Sequence, residues 1–212
     1  TLTPPKRGVT SNQKLSKQPD IGFRVFSAFN DTIWLVMLIV TGFFAAALFS
    51  FDMNDPAFTR STDGATAHNM TGMVGAYVAD IAYYLCGLSI WWVVIEAAIL
   101  LFRAFKPLLI AKKIDTNHRL GMGALGTIIM IAGSGLLETW LASNYLQDRL
   151  PLGAGGFWGQ TIVPLLEYGV GRSSGVIISM LLMLMGLSMM LQMTWLELVE
   201  KVGNRAQWLW FN

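Results

Sequence analysis

The chain has 212 residues, 54% of them hydrophobic and only 13% charged, with a mean hydropathy of +0.51. A soluble domain carries about 25% charge, so roughly half the usual polar surface is missing, and the long apolar runs require lipid as their solvent. The formal charge of +2 is too small to imply a nucleic-acid partner for this segment, and the single cysteine, Cys86, cannot form an internal disulfide and reads as a small buried hydrophobe.

Residues 1–30 form a basic segment with Lys6, Arg7, Lys14, Lys17 and Arg24. No apolar stretch in it ends at a small-residue cleavage site, so no signal peptide is expected, and the first span reads as an uncleaved signal anchor. The sequence opens on Thr1, so a few residues are expected to be absent or trimmed before it. The first span, 33–51, gives about 28 Å of helix, enough for a hydrocarbon core of about 30 Å. The second, 74–102, is interrupted by Asp80 and Glu96. At about 43 Å it is overlong and is expected to tilt or protrude. With Arg103 at one interface, Asp80 falls just outside the other, and Glu96 lies about 10 Å inside the membrane. The third span, 120–141, is rich in glycine and holds Glu138 near its far end. Residues 150–171 are apolar but broken by Pro151, Pro164 and six glycines, which predicts a Gly-rich interfacial or re-entrant segment. The fourth span, 175–195, is uncharged and reads as a plain membrane helix. Residues 196–212 read as an amphipathic juxtamembrane tail. The fold class is therefore an all-α membrane protein with four transmembrane helices over 31–195.

Lys and Arg collect on the cytoplasmic side of membrane proteins. The N-terminal segment, the link with Arg103, Lys106, Lys112, Lys113 and Arg119, and the tail with Lys201 and Arg205 hold twelve of the fifteen basic residues. Only Arg60, Arg149 and Arg172 fall on the other side, which predicts both ends in the cytoplasm.

Candidate chemistry is sparse. His68 and His118 lie on opposite sides of the membrane and cannot share a haem, so loop or interface roles are expected. Asp80, Glu96 and Glu138 are the ionisable groups in or near lipid, read as structural hydrogen bonding or subunit contacts, with proton chemistry as the sharper alternative. Gly72, Ala76 and Asp80 fall four apart, as do Gly75, Ala79 and Tyr83, and Gly123, Gly126 and Gly133 thin one face of the third span. Such faces favour a tight bundle or an oligomer. The methionines of the fourth span have no Cys or His companions and read as packing or lipid-facing, not as a copper path. The tryptophans mostly mark span ends, as an aromatic belt does. No Walker A, HExxH or metal-ligand cluster is present, which favours an anchor over an enzyme.

The segment Gly72-Met73-Val74-Gly75-Ala76-Tyr77-Val78-Ala79-Asp80 follows a short loop with Asp55-Pro56 and precedes Tyr83, Tyr84 and Gly87. Gly155, Gly156, Gly159, Gly171 and Gly175 come before or open the fourth span, and Trp195, Glu200, Lys201 and Gly203 follow it. In this order and spacing the chain resembles the N-terminal membrane domain of FtsK/SpoIIIE-type DNA translocases, with Thr71 where that pattern has a first glycine. The resemblance covers about residues 26–210. It implies a membrane anchor at the division septum of a bacterial inner membrane, contacting other division proteins and forming a homo-oligomer, a hexamer if the motor is attached. It also implies that DNA binding, ATP and Mg belong to a motor C-terminal to this segment, which itself would hold no cofactor and do no catalysis. Gly72, Gly75, Ala76, Ala79, Asp80, Glu96, Glu138, Gly155 and Gly156 are the candidate packing and interaction residues. Two other readings remain open: an anchor subunit of a respiratory complex, and a small transporter subunit using Glu96.

Overall fold

The computed structural model describes residues 21–60, 66–110, 116–142 and 148–193, together with Glu197, Glu200 and Gly203. Lys6, Arg7, Lys14 and Lys17, the link residues Lys112 and Lys113, and most of the tail with Trp195, Trp208 and Trp210 lie outside the described residues. The helices are α1 (Ile21–Phe49), α2 (Gly72–Cys86), α3 (Trp91–Ile110), α4 (Thr116–Leu141), α5 (Gly156–Val170) and α6 (Arg172–Leu191), with a 3-10 turn, Gly87–Ile90, joining α2 to α3. Among the described residues the only extended pairing is an isolated bridge, Ala57 to Arg60. Four stretches are long and apolar enough to cross a membrane: Thr32–Phe49, Gly72–Arg103, Leu120–Leu141 and Arg172–Leu191. The all-α, four-span class is the one the composition requires.

One face of α1 packs on α3. Near one end, Trp34 Nε1 donates to the Leu101 carbonyl at 3.1 Å. Near the other, Ala47 and Leu48 enter a buried cluster with Ile90. Ile33, Leu35, Val36, Ile39 and Val40 are exposed on the remaining faces, where hydrocarbon replaces water as the surroundings.

The second apolar run is not one continuous overlong helix. It breaks at Gly87, whose backbone sits at φ 60°, ψ −146°, a region open to glycine and strained for other residues. The reason lies 67 residues further along the chain. Leu88 N–H donates to the Ala154 carbonyl at 2.7 Å, so an acceptor from the loop before α5 replaces one that a regular helix would supply. A Cβ on Gly87 would strike that carbonyl, and a Cβ on Gly156 (φ 60°) would strike the backbone of Cys86 and Gly87. The interrupted backbone is thus satisfied by protein, as non-helical chain at membrane depth must be.

The break lets α2 turn across the end of α1 instead of running beside it. Asn69, just before α2, donates to the Ala47 and Ser50 carbonyls at 2.8 and 3.2 Å. Tyr83, near the other end of α2, donates to the Leu48 carbonyl at 3.1 Å. Between Asn69 and Tyr83 lie about 20 Å of helical rise, yet both side chains end on the same turn of α1. A helix parallel or antiparallel to α1 could not do this.

The closest helix pair is α4 with α6, and it corrects the reading of the fourth span as plain. Gly126, Gly133 and Gly186 each lie against the opposing backbone: a Cβ on Gly126 would strike Met189 and Met190, on Gly133 it would strike Met183, and on Gly186 it would strike Met130. Gly175 and Ser179 continue the same face of α6, with Gly175 against the Trp140 ring and Ser179 fully buried. Such close approach maximises dispersion where no hydrophobic effect drives association. The α6 methionines divide accordingly: Met190 is buried in the seam, and Met180 and Met185 are exposed.

The segment before α6 dips in and returns. Gly155 and Gly159 rest on Gly135 and Thr139 of α4, the deeper of which lies about 9 Å below the end of α4 at Leu141. From there α5 climbs back until Arg172 Nη2 reaches the Trp140 carbonyl at 3.5 Å. With 15 residues, α5 is about 22 Å long and too short to cross.

Candidate functional site at the outer end of the bundle

The chain between α1 and α2 is folded onto α2 by two buried carboxylates. Asp80 is fully buried and accepts three donors: Thr59 N–H at 2.8 Å, Thr59 Oγ1–H at 2.8 Å and Arg60 Nη2 at 2.9 Å. Arg60 also donates to the Met53 carbonyl and lies 5.6 Å from the centre of the Phe51 ring. Asp55, 1% exposed, accepts from the backbone N–H of His68 and Asn69 at 2.6 and 2.9 Å and contacts His68 Nδ1 at 3.1 Å. The Asn69 side chain accepts from Thr71 N–H and Oγ1–H at 3.0 and 2.7 Å. Its amide thus bridges the last carbonyls of α1 to Thr71, the residue just ahead of α2. The result is an ordered platform with Phe58 projecting from its turn, 68% exposed.

A second polar cluster sits at the helix break. Ser89 donates to Glu138 at 3.0 Å, and the Ser134 hydroxyl lies within hydrogen-bond distance of both Ser89 Oγ at 2.8 Å and the Met130 carbonyl at 2.7 Å. Together they tie the 3-10 turn to α4. Tyr84 and Phe157 stack at 6.4 Å and join α2 to α5 beside it.

The candidate residues thus have definite places. Gly72 (φ 70°) opens α2 with open space around it. Gly75 packs on its own capping residues, Thr71 and Asn69. Ala76 and Ala79 are buried, Ala79 in the cluster with Ala47 and Leu48. Asp80 pins the platform, Glu138 holds Ser89, and Gly155 and Gly156 seat the re-entrant loop. Glu96 stands apart, on α3 against Gly123. Of the glycines on α4, Gly126 and Gly133 are spent on α6. Sequence reasoning gave no role to Thr59, Asn69, Ser89 or Ser134. An Asn just ahead of a helix is a capping signal, so Asn69 was findable; the serine pair was not, since its partners are distant in sequence. His68 is placed on Asp55, while the His118 side chain lies outside the described residues. No group of three His, Cys, Asp or Glu is close enough to hold a metal among the described residues.

Residues 27–203 match the family of the 4TM region of DNA translocase FtsK/SpoIIIE. The chain is 34% identical over 187 residues to DNA translocase FtsK 1 of Neisseria meningitidis serogroup B, covering 86% of this chain and 22% of that protein. It is 25% identical over 190 residues to DNA translocase FtsK 2 of Ralstonia nicotianae, covering 88% of this chain and 24% of that protein. With DNA translocase FtsK of Shewanella oneidensis the identity is 27% over 177 residues, covering 82% and 19%. The chain thus spans about a fifth of the length of these relatives. No solved structure matches it. The four spans and the match over 27–203 lead to one assignment: the chain belongs to the family of the 4TM region of FtsK/SpoIIIE DNA translocases.

Proposed function

We propose that this segment is the membrane anchor of a cell-division DNA translocase, placing at the septum of the inner membrane a motor that lies C-terminal to it. The motor would bind ATP and Mg and act on DNA; the segment itself would do no catalysis. The observation that carries this reading is the family match over 27–203, joined to the Lys/Arg bias that puts the tail on the cytoplasmic side, where chromosomal DNA is. Loops 52–68 and 143–171 would contact the outer parts of other division proteins. A folded platform with an exposed Phe58 suits that role, since a preordered surface loses less entropy on binding.

The segment would also assemble as a homo-oligomer, a hexamer when joined to its motor. Its small-residue faces are already occupied: Ala79 by α1, and Gly126, Gly133 and Gly186 within the α4–α6 seam. Subunit contacts would therefore use other surfaces, with the exposed side of α1 the largest available. The test is a fluorescent fusion of the full-length protein at its own locus. A band at mid-cell in constricting cells is the expected result; an even distribution around the whole membrane would refute septal targeting.

A further inference from the structure

Glu96 is the one candidate carboxylate left without a hydrogen-bond partner. It is 5% exposed, and both carboxylate oxygens are buried without a donor. Asp80, equally buried, has three. The room for Glu96 comes from Gly123 of α4, where a Cβ would fall on Glu96 Oε1 and lie 3.6 Å from both its carboxyl carbon and Gln192 Nε2. The carboxylate and the Gln192 amide therefore share one small space between α3, α4 and the end of α6.

The local electrostatics supply no donor to the carboxylate. Gln192 ends α6 in the left-handed conformation, φ 53°, ψ 42°, and the C-terminal carbonyls of a helix form the negative end of its dipole. Arg103, two turns along α3, is the charged group among the described residues that faces Glu96. Its Nη2 donates to the Leu191 carbonyl at 2.9 Å and caps α6, and neither Glu96 oxygen receives a hydrogen bond. An ionised carboxylate held out of water without a donor costs several kcal/mol, and a helix C-terminus beside it adds to that cost. A cation removes it. Divalent ions gather about six or more oxygens, usually from several carboxylates, and only one carboxylate is here.

We propose that Glu96, with the Gln192 side chain and the C-terminal end of α6, forms a binding site for one exchangeable monovalent cation, a proton or sodium, between α3, α4 and α6. The site lies beside the point where the chain leaves α6, so occupancy would draw that exit against α3.

The test is labelling of the full-length protein in native membranes with dicyclohexylcarbodiimide, an apolar reagent that adds to protonated carboxyl groups, followed by peptide mass mapping. A label is expected on the peptide holding Glu96 and absent in Glu96→Gln; mapping the native protein locates it even if that variant does not accumulate. For a proton-binding site, labelling slows by about tenfold per pH unit once the group ionises, and sodium has no effect beyond that of choline. For a sodium site, sodium but not choline slows labelling by about tenfold at ten times its dissociation constant. Either result supports the proposal. Absence of label on Glu96 at every pH from 5 to 9, showing a carboxylate held ionised by a permanent partner, would overturn it. So would a rate indifferent to both pH and sodium, showing a proton that never exchanges.

Discussion

Gly186→Leu is expected to destroy the α4–α6 pair, while Gly42→Leu, an equal change on α1, leaves stability within about 0.5 kcal/mol of the native chain. The contrast follows from what each side chain would meet. At Gly186 a Cβ strikes the backbone N and Cα of Met130 and approaches the Gly126 carbonyl. Backbone cannot rotate away as a side chain can, so α6 has to move off α4 as a body. Overpacking a core costs about 1–3 kcal/mol where neighbours yield; here the loss also includes the buried contacts of Met130, Met190 and Ser179, and about 4 kcal/mol or more is expected. Around Gly42 nothing lies within 4 Å of a Cβ, so a side chain there starts in open space and displaces no backbone. Unfolding of the purified chain in mixed micelles, titrated with dodecyl sulfate, measures both. Equal midpoints for the two variants would show that the seam is not the main contact of the bundle.

Asp80→Ala should act on the platform and leave the spans in place. The substitution removes the acceptor of three hydrogen bonds and the ion pair to Arg60, whose side chain is 24% exposed. Breaking a buried pair costs about 3–5 kcal/mol, and the access of Arg60 to water brings the expected loss toward the lower end. Exchange of the Thr59 amide hydrogen should then speed up by about 100-fold, the equivalent of about 3 kcal/mol of local opening. Trypsin added from the outside should cut after Arg60 in the variant and spare the native loop. Asp80→Asn keeps an acceptor for Thr59 and loses the charge, so it should fall between the two. Unchanged exchange at Thr59 in Asp80→Ala would mean that the loop is held by Asp55 and Asn69 alone.

The legible parts of this fold are those that depend on the solvent. The apolar runs at 33–51 and 120–141 must be helices in a medium that pairs no backbone groups, and the stretch 150–171, broken by glycine and proline, read as too irregular to span, although Gly156–Val170 within it is a short helix. The break at Gly87 was hidden because glycine is common in membrane helices, and only the Ala154 carbonyl, distant in sequence, explains its conformation. The fourth span misled for the opposite reason. Its Gly175, Ser179 and Gly186 carry the seam, yet spread among so many methionines they read as an ordinary apolar helix. In the candidate site, Asp80 stood out as a charge near lipid, but its partners Thr59 and Arg60 belong to a loop without periodicity. Glu96 was conspicuous as a carboxylate at membrane depth; that it lacks a donor is knowable only from packing.

The most direct test of the anchor is the sidedness of its ends. In a Cys86→Ser background, single cysteines at Ser11, Phe58 and Asn212 can be probed in whole cells with a maleimide that does not cross the inner membrane. The account predicts labelling of Phe58→Cys in cells with an intact inner membrane, since that side chain is 68% exposed on the outer platform. It predicts labelling of Ser11→Cys and Asn212→Cys only after the membrane is opened. Labelling of Asn212→Cys in intact cells would place the tail outside, away from any DNA, and would contradict the account.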